Sequence, residues 1–180
     1  MNLSLGYINP EDVLKNTAEL MALSARTAPK SAGQDFVVIK IITRDEIDRL
    51  AEAMVQYGIE TNKRNFDRDS KNVKNSPVIL LIGLKDSQTV GLNCGACGFE
   101  RCKDCEAHEG PEFDGPQCAL RILDMGIAIG SAVKMAGIMG VDNRIMYRIG
   151  VVAKKIGLIE ASFVMGIPLS ATGKNIYFDR

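Results

Sequence analysis

Apolar residues recur at helical spacing from Pro10 to Arg26, where Val13, Leu14, Thr17, Leu20 and Met21 fall on one stripe. Asn9 suits the N-cap, Pro10 the first helical position, and Glu11 and Asp12 the positive end of the helix dipole. Pro29 and Gly33 mark a turn. The β-branched run Phe36–Ile42 then predicts a strand buried on both faces. Thr43 with Glu46 reads as a capping box opening a second helix, which should run to about Tyr57 and stop at Gly58. The polar, asparagine-rich stretch Thr61–Ser76 reads as an irregular loop and a candidate lid. Pro77–Leu84 predicts a second core strand.

Ala119–Met139 is the longest apolar helix and is apolar nearly all round, so it belongs in the core or at a subunit interface. Gly126, Gly130 and Gly137 within it permit close approach of another backbone. A helix from Asp142 to about Ile156 and a strand over Ile159–Gly166 complete the pattern. Alternating strands and helices imply an α/β or α+β class, and 180 residues suit a single domain over 1–180.

The segment between the second strand and the long helix fits neither period. It is rich in glycine and holds all five cysteines, spaced Cys94-x2-Cys97-x4-Cys102-x2-Cys105-x12-Cys118. Such a stretch buries too little apolar surface to fold unaided, and a bound metal would supply what is missing. An odd number of crowded cysteines argues against a disulfide framework. Iron–sulfur clusters need four converging thiolates, and glycines beside the cysteines let the loop fold tightly and aim N–H groups at sulfur. Five cysteines for four places leave two sets open: Cys94, Cys97 and Cys102 with Cys118, or the same three with Cys105. Zinc is the alternative metal, though four residues between two Cys-x2-Cys pairs is short for its knuckles. His108, the one histidine, reads as a solvated loop residue.

Charge narrows the classes further. Twenty-two basic and twenty-two acidic residues cancel, so nothing points to nucleic acid or an anionic membrane. No apolar run reaches bilayer length, and Met1–Gly6 lacks the basic start of a signal peptide; the expected location is the cytoplasm. No nucleophile elbow, phosphate loop or dinucleotide fingerprint is present.

Cys94-Gly95-Ala96-Cys97-Gly98-Phe99-Glu100-Arg101-Cys102, with Cys118 later, resembles the Cys-Gly-x-Cys-Gly-x3-Cys…Cys motif of small 4Fe–4S modules. The whole chain, including Gly166–Asn175, resembles the prokaryotic family of uncharacterised proteins containing a ferredoxin domain. That resemblance implies Cys94, Cys97, Cys102 and Cys118 as ligands and Cys105 as spare. A weaker resemblance is to flavin-dependent nitroreductases, carried by Ala25–Gln34, the helix start Asp124–Ala128, and Val164–Pro168 with the later Lys174 and Arg180. It implies an α+β sandwich, a homodimer with the long apolar helix at its interface, and FMN contacts from Lys30, Ser31, Gln34, Lys174 and Arg180. The arginine-rich start and the Asn-x-Gln-Pro-Trp of those enzymes are missing. The combined expectation is a nitroreductase-like sandwich with residues 94–118 as an inserted iron–sulfur subsite. Its function would be a redox protein coupling the cluster to a flavin or a partner protein, with a non-catalytic electron carrier and a zinc-stapled structural protein as alternatives.

Overall fold

The computed structural model describes residues 9–178. The readings placed on Met1–Gly6 and Arg180 lie outside these residues. The first helix, α1 (Pro10–Thr27), forms as its sequence dictates, with the Asn9 side chain accepting the Glu11 N–H at 3.1 Å. It leads into the edge strand β1 (Val37–Thr43), which pairs antiparallel with β2 (Val78–Leu84). β2 pairs on its other side with β4 (Phe163–Ser170), and β4 with the two-residue β3 (Asp142–Asn143). The sheet order is β1-β2-β4-β3.

Strand β2 is buried at every residue, and its alternation decides the layers. Val78, Leu80, Ile82 and Leu84 face α1 and α4 (Ala119–Ile138), meeting Met21, Ala25, Ala128 and Ala132. Ile79 and Leu81 face α2 (Asp45–Thr61), α3 (Phe66–Lys74) and α5 (Tyr147–Lys155), meeting Leu50, Met54, Ile149 and Val152. The result is an α+β sandwich with an antiparallel sheet between two helical layers. β1 is only half-buried over most of its length, because an edge strand cannot match the burial of its central neighbour.

Five expectations need correction. Thr61–Ser76 is largely helical: α3 fills it, and only Phe66 and Val73 give its buried face an apolar signal. The other buried positions are Asp69, which binds Arg68 and Arg148, and Ser70, which donates to Ala51 O at 2.8 Å. Thr43 does not cap α2. Arg44 does, in a positive-φ conformation without a side-chain cap, while Glu46 pairs with Lys40 at 2.7 Å. α2 also runs past Gly58 to Thr61, ending at a left-handed Asn62. Gly58 is there for packing, since a Cβ would come within 2.9 Å of Phe66 Cβ.

The region from Asp142 opens with β3, and helix starts only at Tyr147, after Met146 bridges Gly166. The last strand lies four residues later than expected and contains Pro168. β3 covers only two residues of β4, and such edge-like positions accommodate proline.

Candidate metal centre

Residues 85–118 connect β2 to α4 and lie across the carboxyl end of β2. They carry no regular element except a single 3-10 turn, Cys102–Asp104. Polar ties to the body replace a core of their own. Lys85 N–H donates to Phe36 O at 3.0 Å, and Asp114 N–H to Ser162 O at 3.0 Å. Asp114 also pairs with Lys154 at 3.0 Å, and Glu112 takes Lys63 at 2.5 Å and the Tyr57 hydroxyl at 3.3 Å. His108 and Gly115 exchange two backbone hydrogen bonds that close the loop between them; His108 itself is exposed, as expected of a solvated side chain.

Within this frame Cys97, Cys102 and Cys118 lie around Cys105. Cys118 is buried at the N-cap of α4, Cys97, Cys102 and Cys105 are half-buried, and Cys94 is exposed at the rim. Gly95 and Gly98 take positive φ and are joined by a Gly98 N–H to Gly95 O bond of 2.9 Å, a turn that a Cβ would strain. Asn93 clasps Cys102 from both sides. Its N–H donates to Cys102 Sγ at 3.2 Å, and its Oδ1 accepts the Cys102 N–H at 2.8 Å. The neighbouring Cys94 therefore starts beside Cys102.

Two thiols are perturbed. Burial, a hydrogen bond with Cys97 and the nearby charges of Cys97, Cys118 and Cys102 push the Cys105 thiol up to about 11. Cys105 is accordingly a neutral thiol that donates to Cys97. For Cys118, burial works upward, but N–H groups of Val90, Arg121 and Leu120 and the Arg121 charge outweigh it and draw the thiol down. A helix N-terminus offering N–H groups to sulfur stabilises thiolate. Among the described residues, no three His, Cys, Asp or Glu side chains are drawn together tightly enough to hold a single metal ion. The donor chemistry nonetheless suits a cluster: thiols clustered at one loop, with backbone N–H groups directed at two of the sulfurs.

Of the residues expected to touch a flavin, Lys30, Ser31 and Gln34 hold partners within the chain. Lys30 Nζ donates to the carbonyls of Ala25, Arg26 and Ala28, closing the end of α1. Ser31 gives its N–H and hydroxyl to Asp124 Oδ1, both at 2.8 Å. Gln34 Oε1 accepts Arg121 Nη2 at 2.5 Å. Lys174 lies in an exposed turn whose carbonyl accepts the Thr172 hydroxyl at 2.9 Å.

The sequence reading missed the Arg121–Asp124 pair, fully buried one turn into α4. Arg121 also donates from Nε to Gln88 O at 2.8 Å and from Nη1 to Ser31 O at 2.9 Å, with its guanidinium 4.7 Å from the Phe36 ring centre. The available signal was an arginine and an aspartate three residues apart in the otherwise apolar stretch 119–130 of the helix.

Known structures match this architecture. An FMN-dependent nitroreductase from Mycobacterium smegmatis in complex with NADPH superposes with a TM-score of 0.61, covering 90% of this chain and 80% of that one at 12% identity. A nitroreductase-like family protein from Bacillus cereus gives 0.58, covering 94% and 88% at 11% identity. A nitroreductase with bound FMN from Desulfitobacterium hafniense gives 0.57, covering 93% and 81% at 12% identity. At these identities the likeness is one of fold. The family model for uncharacterised proteins containing a ferredoxin domain matches residues 114–180, a span that includes Cys118. An Archaeoglobus fulgidus protein is 50% identical over 169 residues, 93% of this chain and 91% of its own length. With that relative aligned along nearly its whole length, the chain belongs to the family of uncharacterised proteins containing a ferredoxin domain.

Proposed function

We propose that this chain is a redox protein that carries a 4Fe–4S cluster in residues 94–118 and transfers single electrons to a partner. The observation that carries the reading is the gathering of thiols between β2 and α4, with N–H groups donated to the sulfurs of Cys102 and Cys118. When bound, the cluster supplies a one-electron couple. Cys97, Cys102 and Cys118 hold it, and Cys94 completes the set, following the motif and its start beside Cys102. Cys105 donates to Cys97 without ligating, in the manner of a hydrogen-bonding neighbour that tunes a ligand. Exposure of Cys94 gives a partner protein an approach to the site. The chain acts in the cytoplasm, where a reducing environment keeps the thiols available.

A flavin-coupled oxidoreductase is the second reading, favoured by a fold shared with FMN-binding proteins. The internal engagement of Lys30, Ser31 and Gln34 weighs toward the carrier. Residue 180 lies outside the described residues, so Arg180 adds nothing to either side. We also propose a homodimer through α1 and α4. These helices leave Leu20, Leu23, Leu123 and Ile127 exposed beside Gly126 and Gly130, whose missing side chains open onto free space. Sedimentation of the purified chain should give twice the monomer mass, and Gly130→Leu should halve it.

The deciding experiment is an absorption spectrum of anaerobically purified protein, with iron, sulfide, zinc and FMN assayed on the same sample. About four irons and four sulfides per chain are expected, with a broad visible band. Zinc without iron would replace the redox reading with a structural staple. FMN together with NADH- or NADPH-driven turnover of a quinone or nitroaromatic would establish the enzyme instead of the carrier.

A further inference from the structure

Arg121 is the bulkiest of the fully buried side chains among the described residues, and its guanidinium is no cluster ligand. Burying a guanidinium is costly, and an apolar residue would pack α4 against the sheet equally well. The charge is nevertheless built in with care. Gln88 O, Ser31 O, Gln34 Oε1 and Asp124 Oδ2 fix the fork, and Phe36 covers one face. Asp124 is fixed in turn by the Ser31 N–H and hydroxyl. Neither partner can swing away, and solvent does not screen them.

Their position relative to the cysteines is specific. The Arg121 N–H donates to Cys118 O at 3.0 Å, so the guanidinium rises from the turn that Cys118 caps. Reducing a thiolate-bound cluster adds one negative charge, which a fixed buried cation favours and a fixed buried anion opposes.

We propose that the Arg121–Asp124 pair sets the reduction potential of the cluster held through Cys118, with Arg121 raising it and Asp124 trimming it. Both are positioning residues that act through the ligand. The inference rests on the cluster reading above, and the two fail separately.

The test is an anaerobic redox titration of the iron-loaded full chain with dithionite, followed by visible absorbance and electron paramagnetic resonance. Asp124→Asn keeps an acceptor for Ser31 while removing the opposing charge. It should make reduction at least tenfold more favourable, an upward shift of about 59 mV for one electron. Arg121→Gln should shift the equilibrium about tenfold the other way, and Arg121→Lys should stay within about threefold of the parent. If Arg121→Gln does not fold, the other two variants decide. Shifts of the same sign in Asp124→Asn and Arg121→Gln would overturn the proposal. So would an unchanged potential in iron-loaded Asp124→Asn, or loss of iron from Arg121→Lys, which would make the arginine a structural latch. A parent chain without iron and sulfide would instead overturn the cluster reading.

Discussion

Replacing Gly150 by alanine probes the contact that seats α5 on the sheet and, through Lys154 and Asp114, steadies the cysteine segment. A Cβ at Gly150 would stand 1.8 Å from Val164 O and 2.4 Å from Val164 C, both backbone atoms of β4. Ordinary contact requires the strand or helix to retreat by more than about 1 Å, and close-packed interiors resist such shifts. β4 cannot retreat freely, because Gly166 is paired with Leu81 of β2 and hydrogen-bonded twice to Met146. Nor can α5 slide along it, because a Cβ-sized space at Gly166 is already filled by Ile149 Cγ2. Overpacking of this kind costs about 3 kcal/mol or more, against a helix-propensity gain of about 1 kcal/mol. The net loss of about 2 kcal/mol corresponds to a fall in Tm of roughly 4–8 °C for a chain of this size. Far-ultraviolet circular dichroism melts of the parent and Gly150→Ala, under identical loading, measure it. An equal or higher Tm for the variant would refute the close approach of α5 and β4.

Three further outcomes are expected. Cys118→Ser should abolish iron binding, whereas Cys105→Ser should keep iron near the parent level, as metal analysis after anaerobic loading would show; the reverse order would exchange their roles. In iron-free protein, Cys105 should be the slowest cysteine to alkylate at pH 8. A thiol pushed up to about 11 is only about one part in a thousand thiolate there, and its rate should climb tenfold per pH unit until the thiol titrates, a slope that mass-resolved iodoacetamide labelling follows. Asp69→Ala should cost about 2–3 kcal/mol in urea denaturation. It strips the buried carboxylate from Arg148 and Arg68, whose partial exposure keeps the loss below that of a fully buried pair.

Legibility in the sequence followed how directly burial was written in apolar residues. β2 and α1 could be read because their core positions are apolar, save Thr17, whose hydroxyl donates to Val13 O, and the Asn9–Pro10 start is local chemistry. α3 could not, because half of its buried face is Asp69 and Ser70, satisfied by groups distant in sequence. β3 was hidden by its length, two residues defined only by their partners Ser170 and Leu169. The cysteine spacing marked the candidate site. The internal partners of Ser31 and Gln34 could not be read, since they are Asp124 and Arg121 about ninety positions away. No local pattern encodes such a network.

The polar tethering of residues 85–112 has a consequence for assembly. Both apolar layers close without a side chain from that stretch, so the sandwich can mature on its own, and the proposed cluster would be received afterwards. The loop is then a socket on a finished frame. The surface tie Lys63–Glu112 can be released while Phe113 stays packed against Phe163, ring centres 4.4 Å apart, so a cluster of the kind proposed could be inserted, lost and replaced without the frame unfolding.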